Sequence, residues 1–187
     1  MSAGVVFEKP WRNAALTFLP DGSLRTYDKR HLLLPGEGKF TPGTGSGLLG
    51  GGNAVAICKD LDFPRTLRAD ARSALGGIRL MAVPANDFVR DNWIHARMAV
   101  MRGVESGFSI ARAAKEGLLT LSDDRGRLLA EQSSSASVPF SSIVANVPVR
   151  NSVTFYARFG DWFAWLNIAL LLGVLGSLGF NRASSQN

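Results

Sequence analysis

Cys58, Lys29 and Glu37 are the candidate reactive side chains of this sequence. Cys58 is the only cysteine. It follows Ala54-Val55-Ala56-Ile57, an apolar run with β-branched members that reads as a buried strand. Asp62 has N-cap chemistry and Pro64 suits a first helical position, so the spacing predicts a strand, a tight turn at Cys58 and then a helix. A thiol at such a turn stands clear of the sheet, and the helix start offers N–H groups and a positive dipole end that favour a thiolate. A lone cysteine is also commonly a small buried apolar residue. As a nucleophile it needs a base, and the oxyanion it creates needs a cation or N–H donors. Lys29 could supply the cation from the cluster Asp28-Lys29-Arg30-His31, just past a strand. Glu37 is the one carboxylate in the glycine-rich loop 36–52 and could order such a site. A Cys–His pair with His31 or His95 is open, and nothing in the spacing selects either.

The rest of the composition narrows the classes. The 187 residues suffice for one domain with a real core. One cysteine excludes an internal disulfide and any cysteine-based metal cluster, and two distant histidines show no metal-site spacing, so no metal and no cofactor are expected. The net charge of +6 comes from scattered arginines. Without a basic run interleaved with aromatics, no nucleic-acid partner is expected. Gly38-Lys39 lacks the following Ser or Thr of a phosphate-binding loop. Met1 to Val6 has neither the basic region nor the apolar core of a signal peptide.

Several elements must position the candidates. A hairpin is expected from strands over 13–19 and 23–27, joined by Pro20-Asp21-Gly22. After Cys58, a helix over 64–75 should bury Leu67, Ala71, Ala74 and Leu75. A strand over 78–83 should stop at Pro84, leaving Asn86 and Asp87 in a ligand-facing loop. A helix over 91–106 carries Trp93, Arg97, Val100 and Val104 at helical spacing, with His95 and Glu105, and Gly107 stops it. Strands follow over 108–113, 118–122, 127–131 and 143–149. Helix–strand alternation on both sides of Cys58 argues for a layered α/β sheet. Trp162 to Phe180 has no charged residue over 19 positions. That length and the interfacial tryptophans Trp162 and Trp165 predict a transmembrane helix, a long buried core helix being the alternative. The organisation read is a domain over 1–150, a linker over 151–161, a membrane helix over 162–180 and a polar tail over 181–187.

The order Tyr27-Asp28-Lys29-Arg30-His31-Leu32, Pro35-Gly36-Glu37, Phe40-Thr41-Pro42-Gly43 and Ile57-Cys58 resembles the nitrilase, or carbon–nitrogen hydrolase, superfamily. Pro84-Ala85-Asn86-Asp87 and the stretch from His95 through Glu105 are similar to the family's following loop and helix. Thr154 to Leu166, running into an apolar helix, resembles the C-terminal part of bacterial apolipoprotein N-acyltransferases. The resemblance implies an α-β-β-α sandwich, N-terminally incomplete here, followed by one C-terminal transmembrane helix. It implies Cys58 as nucleophile, Lys29 as the triad lysine, Glu37 as a supporting glutamate and a thioester acyl-enzyme. In the acyltransferase branch the donor is a phospholipid and the acceptor a lipoprotein amine, at the bacterial inner membrane with the catalytic domain in the periplasm. Substrate-pocket candidates are Lys59, Asp60, Asn86, Asp87, Trp93 and His95.

Two departures keep other readings open. The triad's general-base glutamate is expected well upstream of Lys29; Glu8 is too close to the hairpin to be assigned. A missing N-terminal segment or a partner chain is therefore expected, and without it an apolar surface would be uncovered. Lys59-Asp60 also replaces the aromatic-Glu pair typical of the acyltransferases, and Lys59 would lower the Cys58 pKa if it pointed at the thiol. The alternatives are an amidase-type hydrolase using water, and a catalytically incomplete chain.

Overall fold

The computed structural model describes residues 2–87, 90–135, 137–150 and 152–184. Its first sheet has three antiparallel strands in the order β1 (Ser2–Glu8), β2 (Arg12–Phe18), β3 (Leu24–Asp28). The β2–β3 turn has the expected chemistry: Gly22 takes φ 81°, and the N–H and hydroxyl of Ser23 both donate to Asp21 Oδ1, at 2.9 and 2.7 Å. Glu8 ends β1 opposite Arg12; its side chain lies outside the described residues.

The second sheet has six strands in chain order: β4 (Leu48–Gly50), β5 (Asn53–Val55), β6 (Leu80–Asn86), β7 (Ser109–Lys115), β8 (Leu118–Ser122) and β9 (Leu128–Ser133). Its centre, β5-β6-β7, is parallel; the flanking pairs are antiparallel. The parallel connections are made by α1 (Pro64–Ser73) and α2 (Asn92–Ser106). Such crossovers lay helices on a sheet face. Leu61, Leu67 and Ala99 pack there against Ala54, Met81, Val83, Phe108 and Ile110. On the opposite face Ala15 and Tyr27 of the small sheet meet Val55 and Ile57. The layers are thus helix, large sheet and small sheet. A second helical layer is not found among the described residues, so the α-β-β-α expectation is met as α-β-β.

Pro84 does not stop β6. The strand runs on to Asn86, because β5 pairs with it only as far as Ala82 and the proline's missing N–H falls where no neighbour waits. Helix α1 ends at Ser73, and Leu75, expected inside, is fully exposed, whereas Leu67 is completely buried. On α2 the buried face is Ala96, Ala99, Val100, Gly103 and Ser106; Trp93 and Val104 are exposed. Small residues face the sheet because the helix lies close to it: a Cβ on Gly103 would crowd the Phe108 carbonyl. Gly107 caps α2 in the left-handed region (φ 79°), as its position suggested. The strand expected over 143–149 is absent; that stretch has no regular structure, and its Pro148 carbonyl accepts the Ser109 hydroxyl at 2.6 Å.

After the short helix α3 (Phe155–Phe159), α4 runs from Trp162 to Ser184. Every described side chain from Trp162 to Leu178 is exposed, so α4 is not the buried core helix that was the alternative. Among the described residues no helix is long and apolar enough to cross a membrane, and the transmembrane helix expected over 162–180 is not shown. The described side chains of α4 stop at Leu178, which leaves about 26 Å of described helix at ~1.5 Å per residue.

Candidate active site

Lys29 is the residue after β3, and the strand's pairing continues through it. Its N–H donates to Asn13 O at 2.8 Å, and its carbonyl accepts the Gly43 N–H at 2.8 Å. Gly43 is required at this approach, since a Cβ there would strike the Asp28 carbonyl. The backbone being fixed, the Lys29 side chain runs inward and is 2% exposed. Its Nζ donates to Glu37 Oε2 at 2.7 Å. Glu37 is held in turn by the Leu33 N–H at 2.6 Å and by Asn13 Nδ2 at 2.6 Å. Burial raises the Glu37 pKa, but the Lys29 and Leu33 donors outweigh it and the carboxyl lies below the usual glutamate value. Glu37 is therefore a carboxylate committed to Lys29. It is the one carboxylate paired with Lys29 among the described residues.

Cys58 follows β5 by three residues. It opens a short 3₁₀ turn, Cys58–Asp62, and not the α-helix itself. The α1 N-cap is Phe63, not Asp62, with Pro64 first in the helix as expected. Cys58 takes φ 45°, one of two non-glycine residues with positive φ among those described. A β-carbon in that region is strained, and such strain at a sharp turn is often associated with functional sites. The thiol points back to the Asn86 carbonyl, 3.9 Å away. The expectation of a thiolate favoured by a helix start is not met. Burial pushes the Cys58 pKa up, and the opposing cation of first importance is Lys29. The Lys59 Nζ turns to Asp62, 3.5 Å away.

A cavity of about 120 Å³ opens at the thiol, with Leu33, Lys59, Asn86, His95, Met98 and Arg112 in its lining. Of the pocket candidates, Lys59, Asn86 and His95 line it. Asp87 stands behind: it is buried and accepts from Arg112 Nη2 with both carboxylate oxygens, at 2.5 and 2.7 Å, with His95 Nδ1 at 3.5 Å. Trp93 is not in the lining; it is exposed under the Arg97 guanidinium. Asp60 is fully buried and holds the fold instead of facing a substrate. Its carboxylate accepts the N–H groups of Ile57, Arg30 and His31, the Tyr27 hydroxyl and the His31 ring. Sequence reasoning missed Asn13 and Arg112. Arg112 had a signal, a lone arginine inside the small apolar strand β7; Asn13 had none.

No family model matches the chain. It is 33% identical over 165 residues to the apolipoprotein N-acyltransferase of Geobacter metallireducens, covering 81% of this chain and 29% of that protein. It is 30% identical over 128 residues to the apolipoprotein N-acyltransferase of Thermotoga maritima, covering 63% of this chain and 23% of that one. The chain thus spans under a third of the length of these relatives. In fold it is similar to a carbon–nitrogen hydrolase superfamily protein of Xanthomonas campestris carrying an arsenic adduct in its active site. The TM-score is 0.61 at 23% identity, over 71% of this chain and 58% of that one. An amidase from Nesterenkonia matches with a TM-score of 0.59 at 25% identity, over 71% and 58%. The chain belongs to the nitrilase, or carbon–nitrogen hydrolase, superfamily. Among members of that superfamily, it is similar in sequence to the apolipoprotein N-acyltransferases.

Proposed function

We propose that the chain is the C-terminal part of a membrane-anchored acyl-transferring enzyme of the apolipoprotein N-acyltransferase type. The observation that carries the reading is the convergence of a strained, cavity-facing Cys58 with the buried cation Lys29, from a different sheet, whose charge acts on the thiol. In the proposed reaction the Cys58 sulfur attacks an acyl-ester carbonyl, the S–C bond forms and the thiol proton leaves to a base. Lys29 stabilises the tetrahedral oxyanion. The C–O bond breaks, and the alcohol leaves with the proton. An amine then attacks the thioester; the C–N bond forms, the C–S bond breaks, and the thiol regains a proton from the amine.

Glu37 does not serve as the base in this reading, because its oxygens are taken by Lys29, Leu33 and Asn13. The proposal assigns that role to a glutamate from sequence beyond this chain or from a partner chain. The proposed donor is a phospholipid and the proposed acceptor a lipoprotein amine. The exposed apolar α4 is the proposed membrane element, since a helix apolar on all sides needs an apolar surrounding. The proposed location is the bacterial inner membrane with the catalytic part in the periplasm.

The test uses the whole protein in detergent with a phospholipid bearing a labelled acyl chain. The expected result is a hydroxylamine-labile acyl adduct on Cys58 that a diacylated lipopeptide amine discharges, with none in Cys58→Ala. Release of ammonia from a small amide, without any acyl adduct from phospholipid, would favour a hydrolase, the reading that the similar amidase fold suggests. Full activity in Cys58→Ala would overturn both.

A further inference from the structure

Helix α1 carries Arg65, Arg68 and Arg72, spaced to form one stripe along the helix. Tertiary packing lays this stripe beside the foot of α4. Arg65 reaches Asp161 at 3.8 Å, and the Arg68 guanidinium lies over the Tyr156 ring at 5.9 Å. Gly160 takes φ 64° at the α3–α4 corner, a conformation that favours glycine, and it lies against the Arg68 guanidinium. The stripe ends in a cleft of about 400 Å³ between α1 and α3, lined in part by Arg72, Arg158, Ser106 and Ser152. Among the described residues neither Arg72 nor Arg158 is paired with a carboxylate, whereas Arg30, Arg97, Arg102, Arg112 and Arg127 all are. Next to the cleft is a cluster of exposed rings: Phe155 lies 4.5 Å from Phe159 and 5.0 Å from Trp162, centre to centre. Unpaired arginines, then aromatic rings, then an uncharged apolar helix is the order of groups met on going from the phosphate level of a bilayer into its hydrocarbon.

We propose that the α1–α3 cleft is a binding site for the phosphate of an anionic phospholipid headgroup, held by Arg72 and Arg158 and separate from the Cys58 cavity. The inference rests on α4 being the membrane element. The chemistry recognised is a phosphodiester, and the source assigned is a lipid. Each arginine at an anionic surface strengthens binding by about fivefold, so the pair supplies about 30-fold.

The experiment is co-sedimentation of the full chain with vesicles of phosphatidylcholine alone, and of phosphatidylcholine mixed with phosphatidylglycerol. The wild type should bind the mixed vesicles about 30-fold more tightly. Arg72→Gln with Arg158→Gln should bring that binding down to the phosphatidylcholine level while leaving the thermal midpoint and the binding to neutral vesicles unchanged. Arg25→Gln, an exposed arginine on the small sheet, should keep the preference. Equal binding of the wild type to both vesicles would overturn the site and leave α4 as an anchor. A preference surviving in the double variant, or lost equally in Arg25→Gln, would overturn it in favour of diffuse attraction. Loss of the preference in inorganic phosphate at constant ionic strength would overturn the lipid source. Failure to bind any vesicle would overturn the membrane reading itself, and the inference with it.

Discussion

The Tyr27 hydroxyl donates to Asp60 Oδ2 at 2.7 Å, and that bond ties the small sheet to the turn that opens at Cys58. Tyr27 belongs to β3, two residues before Lys29; Asp60 lies two residues after Cys58. The other oxygen of Asp60 takes the Arg30 and His31 N–H groups, on the far side of Lys29. One buried carboxylate thus sets the lysine segment against the cysteine turn. Arg30 extends the link to α1 through Asp70, with bonds of 3.2 and 2.5 Å. Burial and the adjacent Asp60 carboxylate together push the Tyr27 pKa far up, so the phenol remains a donor throughout the physiological range.

Asp60→Asn should therefore destabilise the chain by about 3 kcal/mol, because it removes a buried charged acceptor and leaves several donors facing an amide. Tyr27→Phe should cost about 1 kcal/mol. Denaturant titration of the two single variants and the double variant should show non-additivity, the double costing less than the sum. Additive costs would mean that the two residues do not act as one link.

Glu37→Gln should lower stability by about 2 kcal/mol at neutral pH, by weakening the bond to a buried ammonium. The Glu37 folded-state pKa lies below its unfolded value. Its contribution is thus fully present above the ordinary glutamate range and is lost as the pH falls through the folded value. The stability gap between wild type and variant should shrink toward zero in acid. A gap constant with pH would contradict the ion pair.

The raised pKa of Cys58 makes the resting group a thiol at neutral pH. Alkylation by iodoacetamide should accelerate with pH at values above those of an unperturbed cysteine. Lys29→Met should displace the profile further upward, because the cation that opposes the burial effect is gone. A profile displaced downward in the variant would show that Lys29 does not act on the thiol.

Leu67, inside α1, and Leu75, just past its end, test where the buried face of the helix stops. Leu67→Ala should cost about 3 kcal/mol through the cavity it leaves. Leu75→Ser should change stability by less than about 0.5 kcal/mol, being fully exposed. Thermal or chemical unfolding measures both.

What nearest neighbours along the chain decide can be read from the residues in order. The turn at Asp21–Gly22, Pro64 at the head of α1, Gly107 at the end of α2 and the apolar run before Cys58 follow from local conformational preference and short-period patterning. The order of motifs carried the resemblance to the family, which implied Cys58, Lys29 and Glu37 as a set. Features that depend on partners distant in sequence emerge with the packing of the layers. Pro84 stays in its strand because β5 ends beside it, which a local rule does not register. Trp93 repeats at helical spacing yet faces outward, because the docking of α2 on the sheet fixes which stripe is covered, and Leu75 is exposed because α1 ends at Ser73, before reaching it. Asp60 and Lys59 read alike as charges next to a nucleophile. The fold turns one into a buried joint between the small sheet and the cysteine turn and the other toward Asp62, since a charge can be buried only where enough donors from elsewhere converge on it.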